Sequence, residues 1–136
     1  MRFQKQKMDE CVLASICMLY GKDYRYQSKK FNHLYRRSFG DAVWDAPAEC
    51  NDFLRALTGS TISVFTLYSD YVESGKPINL KGRGWITFDN GCNKHRTAYE
   101  NGVIYDALES KPLPLKEWQK RNINFEVLAV HPIGRK

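Results

Sequence analysis

The chain has 136 residues, 43% of them hydrophobic and 13% aromatic, which is the size and composition of one folded domain and excludes disorder. No apolar run approaches the roughly 20 residues needed to cross a bilayer, and the longest, Val12 to Tyr20, is interrupted by Ser15. The net charge of +6, with basic residues at Lys29, Lys30, Arg36, Arg37 and the tail Arg135 and Lys136, favours weak polyanion binding but specifies neither fold nor chemistry.

Arg2, Lys5 and Lys7 precede an apolar stretch and imitate a signal peptide. Asp9 and Glu10 intervene, however, and no small-residue cleavage site follows, so a soluble protein with its natural start is expected. Asp9 is a candidate N-cap for a helix from Glu10 or Cys11 to about Tyr20, with Gly21 as its stop. That helix is apolar almost all round, as a central buried helix is. A short helix is expected around Lys30 to Arg37, and another over Ala48 to Leu57, ended by Thr58-Gly59. Strands are then predicted at Thr61–Tyr68, Gly84–Asp89, His95–Glu100 and Val103–Asp106, the last two flanking the hairpin dipeptide Asn101-Gly102. Pro112–Gln119 reads as a short helical turn carrying Trp118, and Phe125–Val130 as a closing strand. The order, helices first and an antiparallel sheet after, gives an α+β fold in a single domain over residues 1–136.

A cysteine in the first turn of a buried helix sits among unpaired N–H groups at the positive end of the helix dipole, which favours the nucleophilic thiolate. Cys11 occupies that position. The commoner role of a free cysteine is that of a small buried hydrophobe, and the helix alone does not separate the two. A two-residue turn at Asn101-Gly102 pairs Glu100 with Val103, Tyr99 with Ile104, Ala98 with Tyr105 and Thr97 with Asp106. His95 and Asp106 then share a face as diagonal neighbours about 7–8 Å apart at the backbone, as a base and its orienting carboxylate require. One residue more or less in the turn would put them on opposite faces, and an exposed hairpin would also carry such residues.

The segment from Gln6 through Asp9-Glu10-Cys11 into the apolar helix, with a late histidine opening a strand and an aspartate on the next, resembles the papain-like cysteine peptidase superfamily. The bacteriocin-processing double-glycine peptidase domains and their small stand-alone relatives are the most similar part of it. The resemblance spans residues 4–20 and 84–107. It implies a papain-like domain with a central N-terminal helix packed on an antiparallel sheet, Cys11 as nucleophile, His95 as general base, Asp106 as its orienter and a glutamine as oxyanion donor. In well-known members that glutamine lies six residues before the cysteine, where this chain has Lys5; Gln6 and Gln4 flank the place, and Gln6 lies nearer the helix. Val12 stands where a glycine often follows the nucleophile.

The implied reaction is cleavage of a peptide, isopeptide or related amide bond in a protein or peptide substrate through a thioester on Cys11, with no cofactor or metal. The same site could instead serve an acyltransferase or transglutaminase-like enzyme, and a basic adaptor for nucleic acid or protein is the non-enzymatic alternative. Cys11, Cys17, Cys50 and Cys92 form no CxxC pair, so free thiols in a reducing cytoplasm are expected, although an even count leaves two disulfides open. Cys92 and His95 have half the spacing of a zinc site, which Cys50 or His33 would have to complete. His33 and His131 read as surface or structural residues, and Tyr24, Tyr26, Trp44, Tyr68 and Tyr71 as core or cleft residues.

Overall fold

The computed structural model describes residues 1–5, 10–60 and 78–133. Gln6, the Asp9 cap, the Thr61–Tyr68 strand, Tyr68 and Tyr71 lie outside the described residues. Helix α1 (Cys11–Leu19) has every residue from Val12 to Leu19 buried, as its lack of a polar face demands. Gly21, at φ +66°, takes the left-handed conformation just beyond its end.

The helix expected around Lys30 to Arg37 is instead α2 (Tyr24–Tyr35), capped by Asp23, which accepts from the Tyr26 N–H, and stopped by Arg36 at φ 62°. Its inward stripe is Tyr24, Gln27, Ser28 and Phe31. The spacing is helical, but two of the four residues are polar, and apolar periodicity therefore misses the first two turns. Helix α3 (Phe39–Asp45) is capped by Ser38, and α4 (Pro47–Thr58) starts on a proline and ends at Gly59 in the left-handed region. Phe31 binds the helical layer together, its ring 5.1 Å from that of Phe39 and 5.2 Å from that of Phe53. Tyr24 is buried as expected, whereas Tyr26 and Trp44 are 63% and 76% exposed and belong to no core.

The sheet is antiparallel, in the order β4-β3-β2-β1-β5: β1 (Arg83–Asp89), β2 (Lys94–Glu100), β3 (Val103–Tyr105), β4 (Leu113–Pro114) and β5 (Glu126–Pro132). Asn101 at φ 48° and Gly102 at φ 82° form the two-residue turn, and the register Ala98–Tyr105, Tyr99–Ile104, Glu100–Val103 is the expected one. Helix α5 (Leu115–Arg121) carries Trp118. Alternation along the strands divides the interior in two. Trp85 and Ala98 face α1 to α4, while Ile86, Phe88, Tyr99 and Ile104 face Trp118 of α5. Gly84 of β1 admits no side chain, because a Cβ there would lie 2.3 Å from the His131 carbonyl oxygen and 2.6 Å from the Tyr99 hydroxyl. Among the described residues no helix is long and apolar enough to cross a membrane.

Candidate active site

Cys11 is the first residue of α1, so its N–H is one of the donors an α-helix leaves without an intrahelical partner. The residue before it, Glu10, is buried, and its carboxylate accepts from the Tyr24 hydroxyl, the Ser28 hydroxyl at 2.8 Å and the Gly40 N–H at 3.3 Å. Three donors from α2 and α3 thus fix the chain where it enters the helix. One turn further on, Ser15 donates to the Arg96 carbonyl at 3.3 Å, seating the Cys11–Ser15 side of α1 on β2.

His95 arrives from the other face. It pairs across β1 with Phe88, and both belong to the side of the sheet covered by α5. β3 ends at Tyr105, opposite Ala98, one residue short of the expected strand. Lys94 to Thr97 of β2 therefore run beyond it, and here α1 from one face meets His95 from the other. The Cys11 thiol lies near enough to the His95 ring and the Arg96 main chain for both to stabilise its anion.

Asp106, the residue just past β3, is held on all sides. Its Oδ1 lies 2.7 Å from His95 Nε2 and accepts the Leu108 N–H at 3.0 Å; its Oδ2 accepts the Trp118 indole N–H at 2.8 Å. Trp118 is fully buried and stacks on Phe88, with ring centroids 3.9 Å apart. With Nε2 engaged by the carboxylate, Nδ1 is the ring nitrogen left for the thiol.

The charges follow from this geometry. Burial alone would raise the Cys11 thiol, but hydrogen bonding and the charge of His95, with the Arg96 main chain, bring it below its ordinary 9.0. Burial would lower His95; Asp106 and Cys11 together outweigh it and raise the ring from 6.5 to about 10. Burial likewise opposes the Asp106 charge, and His95, the Leu108 N–H and the Trp118 indole overcome it, holding the carboxyl below 3.8. The other two buried thiols behave oppositely: Cys17 and Cys50 are each pushed up to about 12, chiefly by burial. Such an arrangement favours thiolate–imidazolium over thiol–imidazole, at a residue that as a whole is only partly buried.

Three of the four residues singled out from the sequence, Cys11, His95 and Asp106, are thus brought together, and Gln6 lies outside the described residues. Gln4 has both ends of its amide engaged, Nε2 donating to the Lys22 carbonyl and Oε1 accepting from the Tyr24 N–H, each at 2.7 Å. The sequence places Trp118 only on a helical turn. The available signal was that a buried indole N–H needs an acceptor, but nothing in the spacing named Asp106. All four cysteines are free, and Cys92 and His33 are exposed while Cys50 is buried. Among the described residues no group of three or more His, Cys, Asp or Glu is placed to hold a metal ion. No family model matches the chain, and no curated protein or solved structure matches it either.

Proposed function

We propose that the protein is a papain-like cysteine hydrolase that cleaves a peptide, isopeptide or related amide bond in a protein or peptide substrate. The observation that carries this reading is the unbroken chain from Asp106 through His95 to Cys11. A basic adaptor has no need of an imidazole held between a buried carboxylate and a thiol at the head of a helix.

In the proposed reaction the Cys11 proton passes to His95, and the thiolate attacks the substrate carbonyl. Negative charge collects on the carbonyl oxygen near the start of α1, where the Cys11 N–H and the Gln6 amide would receive it. His95 gives its proton to the departing amine, the C–N bond breaks, and a thioester remains on Cys11. Water then attacks the thioester, His95 takes the water's proton, and the carboxylate product leaves as the thiolate is restored. Throughout, Asp106 holds the ring orientation and offsets the imidazolium charge.

The test is brief iodoacetamide treatment at neutral pH followed by peptide mass spectrometry, together with digestion of a peptide library. Cys11 should alkylate well ahead of Cys17 and Cys50, and cleavage products should vanish in Cys11→Ala. Labelling of Cys11 no faster than Cys17, with no Cys11-dependent cleavage, would overturn the assignment.

A further inference from the structure

The proposed chemistry fixes where the two halves of a substrate lie. His95 must hand its proton to the departing amine, so the leaving-group half passes over the His95 side of the site. On that side the Phe125 ring stands 6.4 Å from the His95 ring and 6.1 Å from that of Trp118. Phe125 closes a turn by donating its N–H to the Asn122 carbonyl at 3.0 Å, and Ile123, 81% exposed, lies within this turn. A second turn carries Leu108, 58% exposed, whose N–H binds the same Asp106 oxygen that holds His95. Glu109 joins the two turns, accepting from Arg121 Nε at 3.0 Å and from Asn122 Nδ2 at 3.5 Å.

Isolated exposed apolar side chains are ordinary on any protein. Here, however, two of the five large ones exposed among the described residues sit on linked turns, each bonded into or packed against the Asp106–His95 pair. We propose that Leu108, Ile123 and Phe125 form a rim that selects a large apolar side chain on the leaving-group half of the substrate. This inference rests on the hydrolase reading and specifies its substrate class.

By microscopic reversibility, an amine that intercepts the thioester binds where the leaving amine did. The test loads Cys11 with an acetyl group from p-nitrophenyl acetate: the thiolate attacks the ester carbonyl, and p-nitrophenolate leaves. The thioester is then offered leucinamide or glycinamide at equal concentration. The amine attacks the thioester carbonyl, the C–S bond breaks, His95 takes the proton, and the N-acetyl amide is released. The readout is the ratio of the two amides formed, which cancels any change in the loading step. Seating one leucine-sized side chain should favour leucinamide by about tenfold or more. The ratio should fall toward one in the double variant Leu108→Ser with Ile123→Ser. Loading of Cys11 with equal interception by both amines overturns this inference alone, as does a ratio unchanged in the double variant. Failure of wild-type Cys11 to take the acetyl group overturns the hydrolase reading and this inference with it.

Discussion

Asp106→Asn is the sharpest perturbation of the site, because the carboxylate serves three N–H groups and an amide cannot. Asn has one acceptor oxygen. If that oxygen takes the place of Oδ1, it still serves His95 and Leu108, and the new NH2 points at the Trp118 indole N–H, donor against donor in a buried setting. If the amide turns over, the indole is satisfied, but the NH2 faces His95 Nε2 and forces the proton onto Nδ1, which faces the thiol. A buried donor left without an acceptor costs about 1–3 kcal/mol, and a hydrogen bond to a charged group is worth about 1.5–3 kcal/mol. The expected loss of stability is about 2–4 kcal/mol, on the order of 10 °C in melting temperature for a domain of this size. His95 also loses the carboxylate that helps to outweigh its burial, so the thiolate fraction and the alkylation rate of Cys11 at pH 7 should fall, by about tenfold for each unit that the thiol pKa rises above 7. A companion variant separates packing from charge. Trp118→Phe removes the opposing donor, so the double variant should be more stable than the sum of the single losses by about 1–2 kcal/mol, while alkylation stays slow. Strictly additive stabilities in chemical denaturation would refute the donor-against-donor argument. Wild-type alkylation in Asp106→Asn would refute the role of the carboxylate.

The remaining expectations concern pH and the oxyanion donor. The thiolate–imidazolium pair exists above the lowered Cys11 pKa and below the raised one of His95, so Cys11 alkylation should rise with pH at a midpoint below 9.0. Turnover, which also needs the imidazolium, should decline as pH passes about 10. In His95→Ala only burial and the Arg96 contacts remain, and the alkylation midpoint should move upward; an unmoved midpoint would remove His95 from the site. Gln4→Ala should lower the melting temperature, since two hydrogen bonds of about 1 kcal/mol each are lost, and leave turnover near wild type. Gln6→Ala should lower kcat by about 10²–10³. A large kcat loss in Gln4→Ala alone would reassign the donor.

The site was legible in the sequence to the extent that local rules set it. Asn101-Gly102 defines a turn, the turn defines a register, and the register carries Asp106 toward His95. Gly21 and the nearly uniform apolarity of Val12 to Leu19 likewise marked a buried helix with Cys11 at its head. What could not be read was how separate elements meet. Trp118 reaches Asp106 across twelve residues, Ser15 reaches Arg96 across eighty-one, and Glu10 gathers donors from two helices, pairings set by packing rather than spacing. Polar residues also concealed structure. The inward face of α2 includes Gln27 and Ser28, so the apolar pattern began only at its second half, and Ser28 proved to be a partner of Glu10.

The Glu10 carboxylate makes the thiol's surroundings hostage to the helical layer. Its partners are the first residue of α2, a serine one turn along the same helix, and the main chain of α3. Neither the strand that carries His95 nor the segment just past β3 that carries Asp106 contributes any of these three donors. The entry to α1 is therefore anchored in the helical layer, while Ser15 one turn on holds the same helix to the strand that carries His95. Slackening of α2 and α3 would loosen the chain just before Cys11 while His95 and Asp106 stayed paired. Heat should therefore perturb the thiol before it melts the sheet, so that the reactivity of Cys11 would report chiefly on the integrity of the helical layer.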